Sequence, residues 1–268
     1  MERIKAAVVQ ICSTEDTPAN LARAGDLVRA AADDGATLVA VPENVGFLRI
    51  ESKTDHGEAL DGPIVSAFAR LAADLGIAIV VGSFPRSGAP GGRVHNTSVL
   101  IDKGGQIVAT YDKIHLFDIA IPGSVEFRES DLVMAGTETV TATLDGTCLG
   151  LSICYDLRFP ELYRQLVDDG AEVLSVPAAF TMQTGKDHWE VLLRARAIES
   201  QTWLLAPNQW GHHGGPRWSY GHSMIIDPWG QVVACVSDGE GWASAWLEPA
   251  RIESVRTQLP CLQHRRLI

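Results

Sequence analysis

The chain has 268 residues, of which 46% are hydrophobic and 21% are charged, which suffices for one large core or two small ones. Its formal net charge of -11 disfavours nucleic acid as the main partner, because nucleic-acid-binding proteins carry a basic face. No apolar stretch reaches the roughly 18 residues that span a bilayer, and the N-terminus lacks the layout of a secretion signal. Five cysteines without a CxxC pair favour a reduced, cytoplasmic protein over a disulfide framework.

Apolar strands alternate with amphipathic helices in the first third of the chain, starting from a strand predicted at Ile4–Val9. A helix follows, with Thr17 predicted as its N-cap. The next predicted strand, Thr37–Val41, is separated from Ile77–Val81 by a helix that begins after Asp61. This rhythm is typical of strands covered by helices.

Strand pairs interrupt this alternation in the middle of the chain. The turn Lys103–Gly105 predicts a hairpin. Phe117–Ala135 has no clean period, and we predict a loop there. The predicted strand pairs are Asn96–Asp102 with Gln106–Tyr111, and Thr139–Leu144 with Cys148–Ile153.

The last third repeats the alternation and ends in a further strand pair. Helices are predicted from Pro160, over about His188–Ser200 and from Pro249. Because the two halves are similar in outline, we expect an α/β fold, a four-layer αββα sandwich of two facing mixed sheets, in a single domain over 1–268. The predicted strands are Glu172–Val176, Trp203–Ala206, His222–Asp227, Gln231–Val236 and Trp242–Leu247.

Cys154 follows the apolar run Leu149–Ile153, which predicts a buried strand, and Pro160 suits the first position of a helix. A strand, a sharp turn and a helix present a nucleophile at the end of a sheet, beside the positive end of the helix. A thiol there is expected to ionise more readily than a free cysteine. The alternative is a buried cysteine that only fills space, which is the commoner role of this residue type.

Glu43 and Lys113 also lie just beyond predicted strands, where the catalytic residues of open α/β sheets collect. Considered singly, Glu43 is expected to be a solvated carboxylate or a helix cap, and Lys113 is expected to be a surface lysine. Together with a thiol they fit hydrolysis of a carbon–nitrogen bond through an acyl-enzyme. The thiolate attacks the amide carbon, the cation stabilises the oxyanion, and the carboxylate transfers protons, so no histidine is required.

Three segments resemble the signature blocks of the nitrilase, or carbon–nitrogen hydrolase, superfamily: PEN at Pro42–Asn44, YDKIHLFDI at Tyr111–Ile119 and GLSICYDLRFPEL at Gly150–Leu162. Their order and spacing match along nearly the whole chain. The resemblance implies a cytoplasmic amidase without a metal or other cofactor that acts on a small-molecule amide. It also implies a homodimer whose subunits pair through helices. Trp189 and Trp203 are candidates for this interface, and the alternative is that they are buried in the core.

The same resemblance assigns roles to individual residues. It implies Glu43 as the general base, Lys113 as the oxyanion-stabilising cation and Cys154 as the nucleophile. The backbone N–H of Tyr155 is implied as a second oxyanion donor. The further glutamate that the family uses near its triad falls on Glu129, whose alternative role is an exposed loop acid.

Downstream segments narrow the resemblance to the Nit branch, which holds deaminated-glutathione amidases and omega-amidases. They are His188–Gln201, Ser219–Gly230 and Leu259–Arg266, and they are closer to the former group. This implies cleavage of deaminated glutathione to 2-oxoglutarate and cysteinylglycine. The alternative is an omega-amidase that acts on 2-oxoglutaramate or 2-oxosuccinamate.

A substrate derived from a keto-dicarboxylate needs cations in its pocket. Arg158, four residues after Cys154, is one candidate, and Lys186 and Arg217 on predicted loops are two others. The alternative for each is a salt bridge or a solvated side chain. We also predict a mobile lip over the site at Trp210–Pro216.

Three other classes of protein remain open from the residues alone. One is a metal hydrolase that uses His212, His213 or His222, although no HExxH or Cys/His ligand spacing occurs. Another is a cysteine–histidine hydrolase with His115 or His188 as the base. The third is a non-catalytic interaction protein on the same scaffold.

Overall fold

The structure is a computed structural model, and it describes residues 1–50, 52, 56–120 and 126–267. None of the described helices is both long and apolar enough to cross a membrane. The described α-helices are α1 (Thr17–Asp33), α2 (Pro63–Leu75), α3 (Pro160–Asp168), α4 (Met182–Ser200) and α5 (Pro249–Gln258). The described strands are β1 (Ile4–Gln10), β2 (Leu38–Ala40), β3 (Ala78–Arg86), β4 (His95–Ile101), β5 (Ile107–Asp112), β6 (Asp118–Ala120), β7 (Glu126–Arg128), β8 (Thr141–Leu144), β9 (Thr147–Leu151), β10 (Val173–Ser175), β11 (Trp203–Ala206), β12 (Trp210–Gly214), β13 (Arg217–Tyr220), β14 (Met224–Ile226), β15 (Val232–Cys235) and β16 (Gly241–Leu247).

Two six-stranded mixed sheets form the centre of the molecule. The first has the strand order β16-β1-β2-β3-β4-β5, and the second has the order β15-β14-β11-β10-β9-β8. Each sheet has three parallel strands at its centre, β1, β2 and β3 in one and β9, β10 and β11 in the other. Antiparallel strands extend both edges of each sheet, so the two halves of the chain repeat one arrangement.

Alternate side chains of β1 show how the layers pack, since successive residues of a strand face opposite sides of its sheet. Ala6 and Val8 lie in one core with residues of the second sheet such as Leu149, whereas Ala7 and Val9 lie in another core with α1 and α2. Both faces of the strand are buried, which explains its continuous apolar run. Because α3 and α4 pack on the second sheet, the predicted αββα sandwich is confirmed.

Two predictions about helix starts were wrong. The N-cap of α1 is Asp16, whose carboxylate accepts a hydrogen bond from the N–H of Ala19 at 3.0 Å, and Thr17 is already helical. Helix α4 begins at Met182, so Lys186 lies on a helix and not on a loop. Gly185 has a low helix propensity, but it is needed for packing, because a Cβ there would lie 2.3 Å from the Cβ of Tyr220.

One segment predicted as a loop contains a hairpin, and one predicted as a lip forms the first strand of another hairpin. Within Phe117–Ala135, of which residues 121–125 lie outside the described part of the chain, β6 pairs with β7 and a 3-10 turn follows at Glu129–Asp131. Most of Trp210–Pro216 is β12, which pairs with β13, so Arg217 begins a strand. Neither segment shows a clear period because each hairpin is short and contains glycines or charges.

Gly82 in β3 determines how closely this strand approaches the segment that carries Glu43. A Cβ at this position would lie 1.9 Å from the carbonyl oxygen of Val41 and 2.3 Å from that of Pro42. The next residue, Ser83, accepts a hydrogen bond from the N–H of Asn44 at 3.0 Å. The close approach therefore fixes the backbone on both sides of Glu43.

Candidate active site

Glu43, Lys113 and Cys154 follow β2, β5 and β9, and the fold brings all three to the wall of one cavity of about 780 Å³. Their side chains are buried, with Lys113 only 2% exposed and Cys154 9% exposed. The first two belong to one sheet and the third to the other. The cavity therefore opens where the ends of the two sheets meet.

The carboxylate of Glu43 accepts hydrogen bonds at both oxygens. Oε1 accepts from Lys113 Nζ at 3.1 Å and from Asn96 Nδ2 at 2.8 Å, and Oε2 accepts from the N–H of Ala179 at 2.8 Å. Burial acts to raise the pKa of Glu43, but the Lys113 cation, the Cys154 thiol and the Asn96 amide hold that pKa below its ordinary value. Glu43 is therefore an ionised base inside a buried site.

Glu129 holds the other side of the lysine. Its carboxylate oxygens lie 2.9 and 3.1 Å from Lys113 Nζ, and it also accepts from the N–H of Phe117 at 2.6 Å. Two carboxylates, Glu129 and Glu43, therefore surround one ammonium. Burial acts to lower the pKa of Lys113, but these carboxylates raise it well above the ordinary value, which keeps the side chain charged.

Cys154 has a strained backbone at the predicted turn. Its φ is +49°, a left-handed conformation that costs a residue with a side chain about 1–3 kcal/mol, and its N–H donates to the carbonyl of Pro177 at 2.8 Å. A 3-10 helix, Cys154–Arg158, begins there. The N–H of Tyr155 lies in the first turn of that helix, where an amide has no carbonyl partner within the helix, and Tyr155 lines the cavity.

The expectation of an easily ionised thiol at Cys154 was wrong. Burial, and next the negative charge of Glu43, raise the pKa of Cys154 well above its ordinary value, and the lowering effect of Lys113 does not offset them. The two side chains act on each other: the thiol lowers the pKa of Glu43, and the carboxylate raises the pKa of Cys154. The thiol is thus placed to give its proton to this carboxylate.

Asp156 links the turn at Cys154 to the segment that carries Lys113 through hydrogen bonds. Its buried carboxylate accepts from the N–H of Ile153 at 2.8 Å, from the hydroxyl of Tyr111 at 2.7 Å and from the N–H of His115 at 3.1 Å. The ring of His115 is also 2.7 Å from this carboxylate. This network therefore fixes the positions of Cys154 and Lys113 relative to each other.

The two histidines considered as alternative bases contact other residues. His115 bonds Asp156 and stacks on Phe159 at 3.7 Å between ring centroids. Nδ1 of His188 lies 3.4 Å from the guanidinium of Arg158. The titratable groups that act on the Cys154 pKa are Glu43 and Lys113 and include no histidine, which favours the acid as base.

Besides Lys113, four basic residues line the cavity, and they include the three predicted from the sequence. The guanidinium of Arg158 lies 5.4 Å from the ring centroid of Phe180 and 5.7 Å from that of Tyr155. Arg217 donates a hydrogen bond to the carbonyl of Arg49. Both guanidinium groups lie over the ring of Phe127, that of Arg217 at 5.6 Å and that of Arg49 at 5.9 Å from the ring centroid. The four are Arg49, Arg158, Lys186 and Arg217.

Sequence reasoning missed Arg49, Asn96 and Ala179. Each lies inside a strand or an irregular segment with no motif of its own, and only the three-dimensional arrangement shows its contacts. Within the described ranges, no group of three or more histidine, cysteine, aspartate or glutamate side chains is placed to hold a metal ion.

Comparison with known proteins assigns the family. The sequence profile described as carbon-nitrogen hydrolase matches residues 5–257. The chain is 44% identical to a deaminated glutathione amidase of Synechocystis over 269 residues, covering 99% of each chain. Among solved structures, it is similar to the C. elegans NitFhit protein, with a TM-score of 0.90 and 36% identity over 98% of this chain and 65% of that one. It is also similar to Saccharomyces cerevisiae Nit3, a member of branch 10 of the nitrilase superfamily, with a TM-score of 0.89 and 29% identity over 99% and 97% of the two chains. The chain therefore belongs to the carbon-nitrogen hydrolase family, within the nitrilase superfamily.

Proposed function

We propose that the protein is an amidase that hydrolyses a C–N amide bond through a thioester on Cys154. The observation that carries this proposal is the buried cluster at one cavity wall in which Glu43 bonds the Lys113 ammonium and acts on the pKa of the Cys154 thiol. A base, a cation and a nucleophile gathered at the wall of one cavity are what acyl transfer to sulfur needs.

In the first step, the sulfur of Cys154 attacks the amide carbon while the thiol proton passes to Glu43. The negative charge that develops on the amide oxygen is stabilised by the Lys113 ammonium and by the N–H of Tyr155. A single donor of this kind typically contributes about 10²–10³ in rate. Glu129 keeps the ammonium in place and does not itself exchange the proton.

The tetrahedral intermediate then collapses. The C–N bond breaks, the proton on Glu43 passes to the leaving nitrogen, and an amine departs from a thioester on Cys154. Water attacks the thioester as Glu43 takes one of its protons. The C–S bond breaks, the acid leaves, and the proton returns to the sulfur.

The substrate that we propose is deaminated glutathione, which would yield 2-oxoglutarate and cysteinylglycine. The 44% identical Synechocystis relative carries the name deaminated glutathione amidase. Arg158, Lys186 and Arg217 line the cavity and supply positive charge for the carboxylates of a keto-dicarboxylate derivative. The cavity of about 780 Å³ also has room for a peptide amine beyond the acyl group.

The substrate assignment is tested by comparing kcat/KM for deaminated glutathione, 2-oxoglutaramate, glutamine and a simple nitrile. We expect the highest value for deaminated glutathione, and an at least 10³-fold loss of kcat in Cys154→Ala and in Glu43→Gln. A preference for 2-oxoglutaramate indicates the omega-amidase alternative. Turnover of nitriles alone rules out the proposed acyl group.

We also propose that this single domain works as a homodimer in the cytoplasm. Trp189 and Trp203 are buried in the core and do not form a pairing surface. The outer side of α4 instead exposes Val191, 68% accessible, and Ile198, 45% accessible, seven residues apart on one helical face. We expect sedimentation to give a dimer, and Val191→Glu with Ile198→Glu to give a monomer.

A further inference from the structure

Asn96 lies between the two carboxylates of the cluster. Its Nδ2 is 2.8 Å from Oε1 of Glu43 and 3.2 Å from Oε1 of Glu129, and the side chain is 4% exposed. An ionised carboxylate only accepts hydrogen bonds, so the amide must turn its NH₂ group toward both acids. Its orientation is therefore determined by its neighbours.

The two oxygens of Glu43 are unequally occupied. Oε1 accepts from Asn96 and from Lys113, at 2.8 and 3.1 Å, which fills both of its lone-pair directions. Oε2 accepts from the N–H of Ala179, which leaves one direction open. Since both directions of Oε1 are filled, the open direction of Oε2 is the place from which Glu43 can exchange a proton.

We propose that Asn96 is a positioning residue that makes Glu43 a one-sided base. By saturating Oε1, it leaves Oε2 to carry the proton that is exchanged with the thiol, the leaving nitrogen and the water. This proposal rests on the amidase function proposed above. In the first step, the S–H bond of Cys154 breaks and an O–H bond forms at Oε2, and in the second step this O–H bond breaks as the leaving nitrogen gains its proton.

The backbone of Asn96 contributes to the same arrangement. Its carbonyl accepts from the N–H of Lys113 at 2.9 Å, so one residue fixes the cation through its main chain and the base through its side chain. A proton on Oε1 would have to displace either the amide or the ammonium. Transfer at Oε2 displaces neither of them.

The test compares Asn96→Ala with Ser98→Ala. Ser98 is buried on the same face of β4, and its hydroxyl donates to the carbonyl of Val81 and not to the cluster. Because hydrogen bonds to charged groups are among the stronger ones, we expect kcat of Asn96→Ala to fall about 10- to 100-fold while KM changes less than about threefold. The control should retain kcat within about threefold.

The pH dependence of kcat/KM distinguishes a positioning role of Asn96 from a general loss of structure in the variant. The groups that face Glu43 are the Lys113 ammonium, the carboxylate of Glu129, the thiol of Cys154 and the Ala179 N–H. Loss of the amide donor raises the pKa of Glu43, since this donor favours the charged form. The acid limb of kcat/KM should therefore move to higher pH in Asn96→Ala.

The control variant should keep the acid limb of the wild-type enzyme. An unchanged limb in Asn96→Ala, or an equal loss of kcat in both variants, overturns the inference. If Asn96→Ala does not fold, Asn96→Ser, whose hydroxyl is too short to bridge the two acids, must show the same shift. Full turnover by Cys154→Ala would refute the amidase mechanism itself, which is a separate outcome.

Discussion

The Cys154 thiol differs from the preformed thiolate of many cysteine enzymes. Burial and the charge of Glu43 raise its pKa, and the nearby Lys113 does not reverse that effect. The reaction that we propose therefore depends on Glu43 taking the proton as the sulfur attacks. In this arrangement the group that raises the pKa of the thiol is also the group that removes its proton.

Alkylation of Cys154 in Glu43→Gln tests this dependence. Removing the negative charge should lower the pKa of the thiol, so the labelling rate with iodoacetamide should reach its half-maximum at lower pH than in the wild type, while amide turnover is lost. Peptide mapping assigns the label to Cys154. Glu129→Gln is the matched control, because this carboxylate contacts Lys113, and a shift as large as that in Glu43→Gln would argue against a direct contact.

Position relative to the predicted strands, together with family resemblance, identifies Glu43, Lys113, Cys154 and Glu129 as candidates from the amino-acid sequence alone. Asn96 is not identifiable in this way, because an asparagine inside a strand has no spacing signature. Its role depends on the register of β4 against β3 and β5, which is a long-range property. The raised pKa of the Cys154 thiol also cannot be predicted from the sequence, because burial depends on the whole fold and not on the local sequence.

At the scale of elements, the sequence predicted the strands and the helices that begin at a proline better than the start of α4 and the short hairpins. Runs such as Leu38–Val41, within the predicted strand Thr37–Val41, are apolar on both faces because both faces are covered, so each predicts a buried strand. The first turn of α4 contains Gly185, whose low helix propensity is overridden by packing against Tyr220. Tertiary contacts of this kind cannot be read from a local window.

Gly82→Ala tests how β3 positions the base. The added Cβ would meet the carbonyl oxygen of Val41 at 1.9 Å, a backbone atom that cannot turn aside. We expect the free energy of unfolding to fall by about 1–3 kcal/mol and kcat to drop more than KM changes, because Glu43 moves with its backbone. Urea unfolding and steady-state kinetics measure the two effects.

Gly104→Ala, in the exposed turn between β4 and β5, is the control for this substitution. Its Cβ would lie 3.3 Å from the side chain of Asp102, which can adjust. If Gly82→Ala were as stable and as active as Gly104→Ala, the approach of β3 would not determine the position of the base.

At the scale of the whole molecule, His213 links stability to pH. Burial lowers the pKa of His213 to about 4, below the value of about 6.5 in an unfolded chain. Between these values the unfolded state binds more protons, so stability should fall as the pH drops from about 6.5 to about 4, by on the order of 3 kcal/mol.

Urea unfolding at a series of pH values measures this slope. His213→Gln cannot gain the proton, so its free energy of unfolding should depend less on pH within this window. His264, which is exposed near the C-terminus, provides the control substitution His264→Gln, and this variant should keep the slope of the wild type. Equal slopes for all three proteins would contradict the assignment to His213.

The central claim is that an acyl group passes through Cys154. Its most direct test is mass spectrometry of the wild-type enzyme quenched with acid during turnover of deaminated glutathione, followed by peptide mapping. We predict a 2-oxoglutaryl adduct on the peptide that contains Cys154, and no adduct or turnover in Cys154→Ala. An acyl group mapped to another residue, or turnover that persists in Cys154→Ala, would contradict the account.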